Sequence, residues 1–309
     1  MKRILIVFLL LAAASAHVAA QEKFPMITIP EEITDHVARA KYLGEHYWDN
    51  VDFNTASDEV LEQGFVDMVS IFMLLDDEAL DRSWAAAVKR AEASKTGVVR
   101  LLALGDKYLY GVSSPMYNES AYRSLLRAGL VSKKIAKADK TPYQKQLVLL
   151  EMNNEGSAAV DFEFEQADGT RSKLSEVVSP VTILFFYDPD CVDCKIERFR
   201  LTQARMTSYL QRAGGVTVLA VFPSADAAAW DKHKSDIPAD WINARDVTGR
   251  LKSENLYDLR AMPRIYLLDD KKQVLLKNTT AEQIETYLTE VMRNAAQSQA
   301  AEGAAEAAE

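Results

Sequence analysis

Across residues 33–150 apolar side chains recur at spacings of three and four. Leu61, Phe65, Met68, Val69, Phe72 and Met73 form one such set, Trp84, Val88 and Ala91 the next, and Val98, Leu101, Leu102 and Leu104 a third. A period of 3.6 residues puts these positions on one face of a helix, so the pattern predicts amphipathic helices packed as one all-α domain. Ser57-Asp58 and Asp76-Asp77 supply N-cap and turn residues, Ser114-Pro115 with Asn118 marks a loop, and Thr141-Pro142 is expected to open a helix. Tyr42, Tyr47, Trp48 and Phe53 read as core of this domain rather than as a ligand platform.

The pattern breaks at Asn153-Asn-Glu-Gly156, and from Ala159 polar and apolar residues alternate. A period of two belongs to a strand with one buried face, so a second domain is expected to start here. Asp161-Phe-Glu-Phe-Glu165 alternates, Asp168-Gly169 signals a hairpin, and residues 171–174 can pair back. Residues 181–187 and 216–222 are unbroken apolar runs of strand length, as found where both faces of a sheet are covered, and a long amphipathic segment to about Ala213 joins them. Further helices are expected over 225–234 and 249–257, and a short edge strand over 241–244. A strand over 263–269 begins with Pro263, its antiparallel return covers 273–277, and a last helix runs from the N-cap Thr280 to about Asn294. Strands alternating with helices predict an α/β domain, a mixed sheet with helices on both faces, behind the all-α domain.

Composition and charge narrow the class. The 309 residues carry 36 Lys plus Arg against 45 Asp plus Glu, a formal charge of -9, which argues against nucleic-acid binding because no basic stripe is available to release phosphate counterions. The one long apolar run, residues 4–14, follows Lys2 and Arg3 and precedes Val18-Ala19-Ala20. It is too short to span a bilayer and has the pattern of a secretory signal peptide cleaved after Ala20, with Ala16 as the second choice. The expected organisation is a signal peptide (1–20), an α-helical domain (21–155), the α/β domain (156–294) and a disordered Ala/Glu-rich tail (295–309).

The chain has two cysteines, Cys191 and Cys194, as Cys-Val-Asp-Cys. A disulfide stabilises chiefly by closing a long loop in the unfolded chain, and this pair closes almost none, so a structural staple is the poorer explanation. In an exported protein such a pair fits reversible thiol chemistry better. Zinc needs four ligands, and there is no second C-x-x-C; His36, His46 and His233 lack the spacing of a ligand pair. Between a buried strand and a helix start, Cys191 sits where backbone N–H groups and the helix dipole favour a thiolate.

In order and spacing, residues 158–294 resemble the thioredoxin fold, and within it the exported thiol-disulfide oxidoreductases of the TlpA and ResA type. Ala159-Val-Asp-Phe-Glu-Phe with the Asp168-Gly169 hairpin is similar to their N-terminal strand pair, residues 174–178 to the segment before the first core strand, and Ala261-Met-Pro-Arg-Ile-Tyr-Leu-Leu-Asp269 to their cis-proline strand. The resemblance implies Cys191 as attacking thiol, Cys194 as resolving thiol, Pro263 as the cis-proline and Met262 as the residue whose backbone pairs with an extended substrate. Glu45-His-Tyr-Trp-Asp-Asn-Val-Asp-Phe53 and Ser114-Pro-Met-Tyr-Asn-Glu119 resemble an uncharacterised domain that precedes thioredoxin folds in some Gram-negative envelope proteins.

Three positions depart from the pattern. Asp190 stands for the usual Trp, Val192-Asp193 contains no Pro, and Phe185 occupies the place of a buried polar or acidic residue. Proton transfer to the resolving thiol is then left to water, Glu163 or Glu165. Asp190 and Asp193 oppose a thiolate while Lys195 and the helix dipole favour it, which predicts a weakly lowered Cys191 pKa and a reducing pair. Asp190 is also expected to cap the helix, with Asp193 as its acidic third residue.

These readings predict a periplasmic or otherwise exported thiol-disulfide oxidoreductase. It would act on protein or peptide disulfides, draw on a membrane electron donor, need no metal or cofactor beyond its own cysteine pair, and carry no stable membrane span. The alternative is a redox-inactive thioredoxin-fold binding or scaffold protein whose helical domain recruits an envelope partner. A copper-delivery role lacks a histidine or methionine cluster beside the cysteines.

Overall fold

The computed structural model describes residues 23–306; the signal sequence expected over 1–20 and the last three residues lie outside this range. The chain divides into two compact units, up to Gly97 and from Val98 onward.

The first unit holds α1 (His36–His46), α2 (Asp58–Val69) and α3 (Asp77–Ala91). Asp35, Ser57 and Asp76 cap them by accepting from the amides of Ala38, Val60 and Ala79, each such cap being worth about 1 kcal/mol. Tyr47, Trp48, Phe53, Phe65, Met68 and Trp84 are buried together, and the Trp48 indole N–H donates to Met68 Sδ at 2.9 Å.

The second unit begins with α4 (Gly97–Tyr108), α5 (Glu119–Leu130) and α6 (Lys137–Glu151). A Cβ on Gly105 would collide with Leu125 and Tyr122, so glycine there lets α4 and α5 meet closely. α6 starts ahead of the expected Thr141, and Pro142 lies inside it. Lys140 anchors that early turn by donating to the carbonyls of Leu130 and Ser132, both at 2.6 Å.

A seven-stranded sheet follows, built from β1 (Glu163–Gln166), β2 (Arg171–Lys173), β3 (Val181–Phe186), β4 (Val216–Phe222), β5 (Ile242–Arg245), β6 (Arg264–Leu268) and β7 (Val274–Lys277), in the order β2-β1-β5-β4-β3-β6-β7. β3, β4 and β5 run parallel; β6 joins β3, and β1 joins β5, antiparallel. The strand expected at an edge, β5, is therefore interior. The β1–β2 hairpin covers it, and Arg245 of β5 pairs with Glu165 of β1 at 2.7 Å.

Alternation along the central strands sends Ile183, Phe185, Val218, Ala220, Ile265 and Leu267 to one core and Leu184, Phe186, Leu219, Val221, Tyr266 and Leu268 to the other. The first core takes Leu201, Ile284 and Leu288 from α7 (Val192–Gln203) and α11 (Ala281–Glu306), and the second takes Phe162, Leu251 and Tyr257. The segment expected as one helix to about Ala213 is two, α7 and α8 (Arg205–Arg212). The break is held from α11, where the Glu285 carboxylate accepts from the Met206 amide at 2.6 Å and from the Thr207 amide and hydroxyl at 3.0 Å. α9 (Ala227–His233) and the single turn α10 (Arg250–Ser253) complete the unit, α10 being much shorter than the helix expected over 249–257.

The tail is a correction: α11 continues as helix through residues 295–306, which the sequence reading assigned to disorder. Ala, Glu and Gln are strong helix formers and propagate a helix already nucleated on the core. Among the described residues no helix is long and apolar enough to cross a membrane.

Candidate active site

β3 ends beneath a tight turn. Asp188 accepts from the Asp190 amide through Oδ1 at 2.9 Å and from the Cys191 amide through its carbonyl at 3.1 Å, which delivers Cys191 to the start of α7. The cap of α7 is Cys191 and not Asp190, because its Sγ accepts the Cys194 amide at 3.0 Å. Asp190 and Asp193 both face solvent. A sulfur in the cap position receives both an N–H and the positive end of the helix dipole.

Cys191 and Cys194 form a disulfide. Their surroundings differ: Cys194 is 3% exposed and packs into the first core, whereas Cys191 is partly open. The Met262–Pro263 bond is cis, as the resemblance implied, and the Met262 carbonyl oxygen lies 3.4 Å from Cys191 Sγ. Three of the four expected site residues thus meet around two sulfur atoms, with Pro263 adjoining them in the chain. Val192, Ile196 and Phe199, at helical spacing on α7, are all exposed and form an apolar stripe that starts beside Cys191.

Phe185 is fully buried, stacked near Tyr187 and edge-on to Trp241, so the space below β3 is aromatic. The nearby polar group is the Tyr187 hydroxyl, which burial pushes up to about 12 and which donates to Asn243 Oδ1 at 3.1 Å. Glu163 and Glu165, expected as possible proton carriers, lie on β1, separated from β3 by β5 and β4. Glu165 is occupied by Arg245 and Arg171, whose hydrogen bonds hold its carboxyl below the usual range, so it is not brought to the cysteines.

The sequence reading missed the device that holds the cis-proline loop. Asp258, 4% exposed, accepts from Arg260 Nε at 2.8 Å and Nη2 at 2.7 Å and from Arg264 Nη2 at 3.3 Å, while Arg264 Nε donates to the Asp258 carbonyl at 2.9 Å. One carboxylate thereby clasps both ends of the loop whose apex carries Met262 and Pro263. Burial alone would raise the Asp258 carboxyl, but the Arg260 hydrogen bond and the charges of Arg264 and Arg260 outweigh it and hold the group below its ordinary value. The alternating charges around Pro263 were the available signal; their common partner was not evident from spacing.

Residues 12–154 match the family described as a domain of unknown function, DUF5106. No curated protein matched the chain. Among solved structures, a thioredoxin-like protein from Bacteroides caccae is similar at 32% identity and a TM-score of 0.79, over 87% of this chain and 98% of that one. The C-terminal domain of an uncharacterized protein from Bacteroides fragilis is 34% identical over 44% of this chain and 98% of that one, with a TM-score of 0.44. A domain of a possible thiol-disulfide isomerase from Cytophaga hutchinsonii is 27% identical over 48% of this chain and 99% of that one, with a TM-score of 0.41. With a relative matched over nearly its whole length, and with a cysteine pair at a strand-to-helix turn facing a cis-proline loop, the chain belongs to the thioredoxin-like proteins.

Proposed function

We propose that the protein is an exported thiol-disulfide oxidoreductase that reduces disulfides of envelope proteins. The observation that carries this reading is the asymmetry of the pair: Cys191 is partly open, hydrogen-bonded by the Cys194 amide and beside the Met262 carbonyl, while Cys194 is buried behind it. In the reduced protein the Cys191 thiolate attacks one sulfur of a substrate disulfide. A mixed disulfide forms, and the departing substrate thiolate takes up a proton. Cys194 passes its proton to water and attacks Cys191 Sγ as the thiolate, the second substrate sulfur leaves as a thiolate that takes up a proton from water, and the Cys191–Cys194 disulfide is regenerated. Two electrons pass to the substrate, and a dithiol donor must return them; a membrane-held donor is the class proposed. The exposed stripe of Val192, Ile196 and Phe199 beside the sulfur supports a polypeptide as the substrate.

The test is capture. Cys194→Ser, reduced and mixed with insulin, is expected to stall as a mixed disulfide through Cys191 that dithiothreitol dissolves, and Cys191→Ser is expected to form none. Absence of any adduct on Cys194→Ser, while Cys191 remains alkylatable, would favour the redox-inactive scaffold reading, for which Phe185 in the core below the pair is the supporting feature.

A further inference from the structure

The clasp on the cis-proline loop does not end at Asp258. The Arg260 guanidinium carbon lies over the Tyr110 ring, 3.3 Å from its centroid, and Nη1 donates to the Tyr110 carbonyl at 3.2 Å. Arg264 stands 5.8 Å from the centroid of Tyr117. Both tyrosines follow α4 and precede α5, and both are fixed from behind. Tyr110 stacks on Tyr122 at 4.8 Å. The Tyr117 hydroxyl donates to Glu119 at 2.5 Å, and the same carboxylate binds Lys277 of β7 at 3.0 Å. Asp258 raises the Tyr110 pKa further after burial has done so, and both effects keep the hydroxyl neutral. Arg260, with 35% of its side chain exposed, is therefore held between one carboxylate and one aromatic face, two residues before Met262.

We propose that Tyr110 and Arg260 are positioning residues for the Cys191–Cys194 site: the α4–α5 connection holds the loop that presents the Met262 backbone, and so sets how well an extended substrate pairs beside Cys191. This rests on the thiol-exchange reading and gives the helices ahead of the sheet a role in it. A backbone edge binds an added strand only if its hydrogen-bonding groups are already in line, so loosening the loop costs substrate affinity before it costs sulfur chemistry. Of the groups around the sulfurs only the Met262 carbonyl belongs to the clasped loop, while the Cys194 amide and the helix dipole lie outside it, so the equilibrium of the pair with a small dithiol is expected to move less than substrate affinity.

The experiment compares Arg260→Ala, Arg260→Lys and Tyr110→Leu with the full-length protein, using insulin as protein disulfide and dithiothreitol as small dithiol. Loss of a stacked, partly desolvated guanidinium is expected to raise KM for insulin about tenfold in Arg260→Ala. kcat is expected to change by less than about threefold and the equilibrium constant with dithiothreitol by less than about twofold, because the pair itself is unaltered. Arg260→Lys keeps a cation over the ring and is expected to recover a substantial part of the loss. Tyr110→Leu removes the ring while leaving the Asp258 ion pairs, and is expected to reproduce the KM effect even where Arg260→Ala fails to fold. An unchanged KM in a folded Arg260→Ala or Tyr110→Leu overturns the positioning role alone. A wild-type pair that does not equilibrate with dithiothreitol overturns the thiol-exchange reading and this role with it.

Discussion

The carbonyl oxygen of Met262 lies 3.4 Å from Sγ of Cys191, across 71 residues of sequence. The contact joins the start of α7 to the loop before β6, and it leaves Cys191 facing backbone on one side and solvent on the other while Cys194 is enclosed. In the reduced protein, iodoacetamide is expected to label Cys191 at least about tenfold faster than Cys194, since thiol reactivity follows access and thiolate stabilisation. Timed alkylation with peptide mass analysis measures it; labelling of Cys194 first would contradict the assignment of roles.

Asp258 is the shared counter-ion of Arg260 and Arg264. Asp258→Asn keeps the shape and removes the charge, which leaves a buried guanidinium uncompensated, at a cost of about 3 kcal/mol. The sign of the pH dependence follows from the lowered pKa. The unfolded carboxyl takes up a proton first as the pH falls, so the stabilisation is complete above the ordinary value of 3.8 and is lost as pH falls through the lower folded value. Urea denaturation is expected to show a large gap between wild type and Asp258→Asn at neutral pH and a smaller one near pH 3.

Lys272 is 6% exposed, and its ammonium donates to the Thr182 hydroxyl at 3.1 Å. Burial lowers its pKa from the ordinary 10.5, partly offset by Asp269 and Asp270. Between the folded and unfolded values the unfolded chain holds the extra proton, so wild-type stability rises with pH through that window. Lys272→Met is expected to be neutral or stabilising at pH 7, with its advantage shrinking as the pH approaches 10. Thermal melts at the two pH values test this; a marked loss at pH 7 would show that the ammonium stabilises the fold.

The Glu285 carboxylate caps the first turn of α8 through the amides of Met206 and Thr207, and these bonds hold its pKa below the ordinary range despite partial burial. Glu285→Ala is expected to cost about 1–2 kcal/mol, the usual range for loss of a cap, with Glu285→Gln losing less. Chemical denaturation monitored by far-UV circular dichroism provides the measurement.

The order of elements was legible because strands covered on both faces write themselves as unbroken apolar runs, as in β3 and β4, and amphipathic helices as spacings of three and four. The cysteines and the cis-proline strand were legible because their patterns are local. What was not legible depends on partners far away in sequence. The break between α7 and α8 is held by Glu285, 79 residues beyond Met206. The clasp on the cis-proline loop ends on Tyr110, 150 residues before Arg260. β5 read as an edge because it is short, and only pairing with β1 makes it interior. Likewise a change of period at residues 153–159 marks where strands begin, while packing groups the helices from Val98 onward with the sheet.

The most direct measurement is the redox equilibrium of Cys191 and Cys194 in the protein against dithiothreitol and glutathione buffers, read by thiol alkylation. A reversible two-electron transition near or below roughly -200 mV is expected, in the range of reducing thioredoxin-type pairs. A pair locked in one state across the accessible range would contradict thiol exchange as the function.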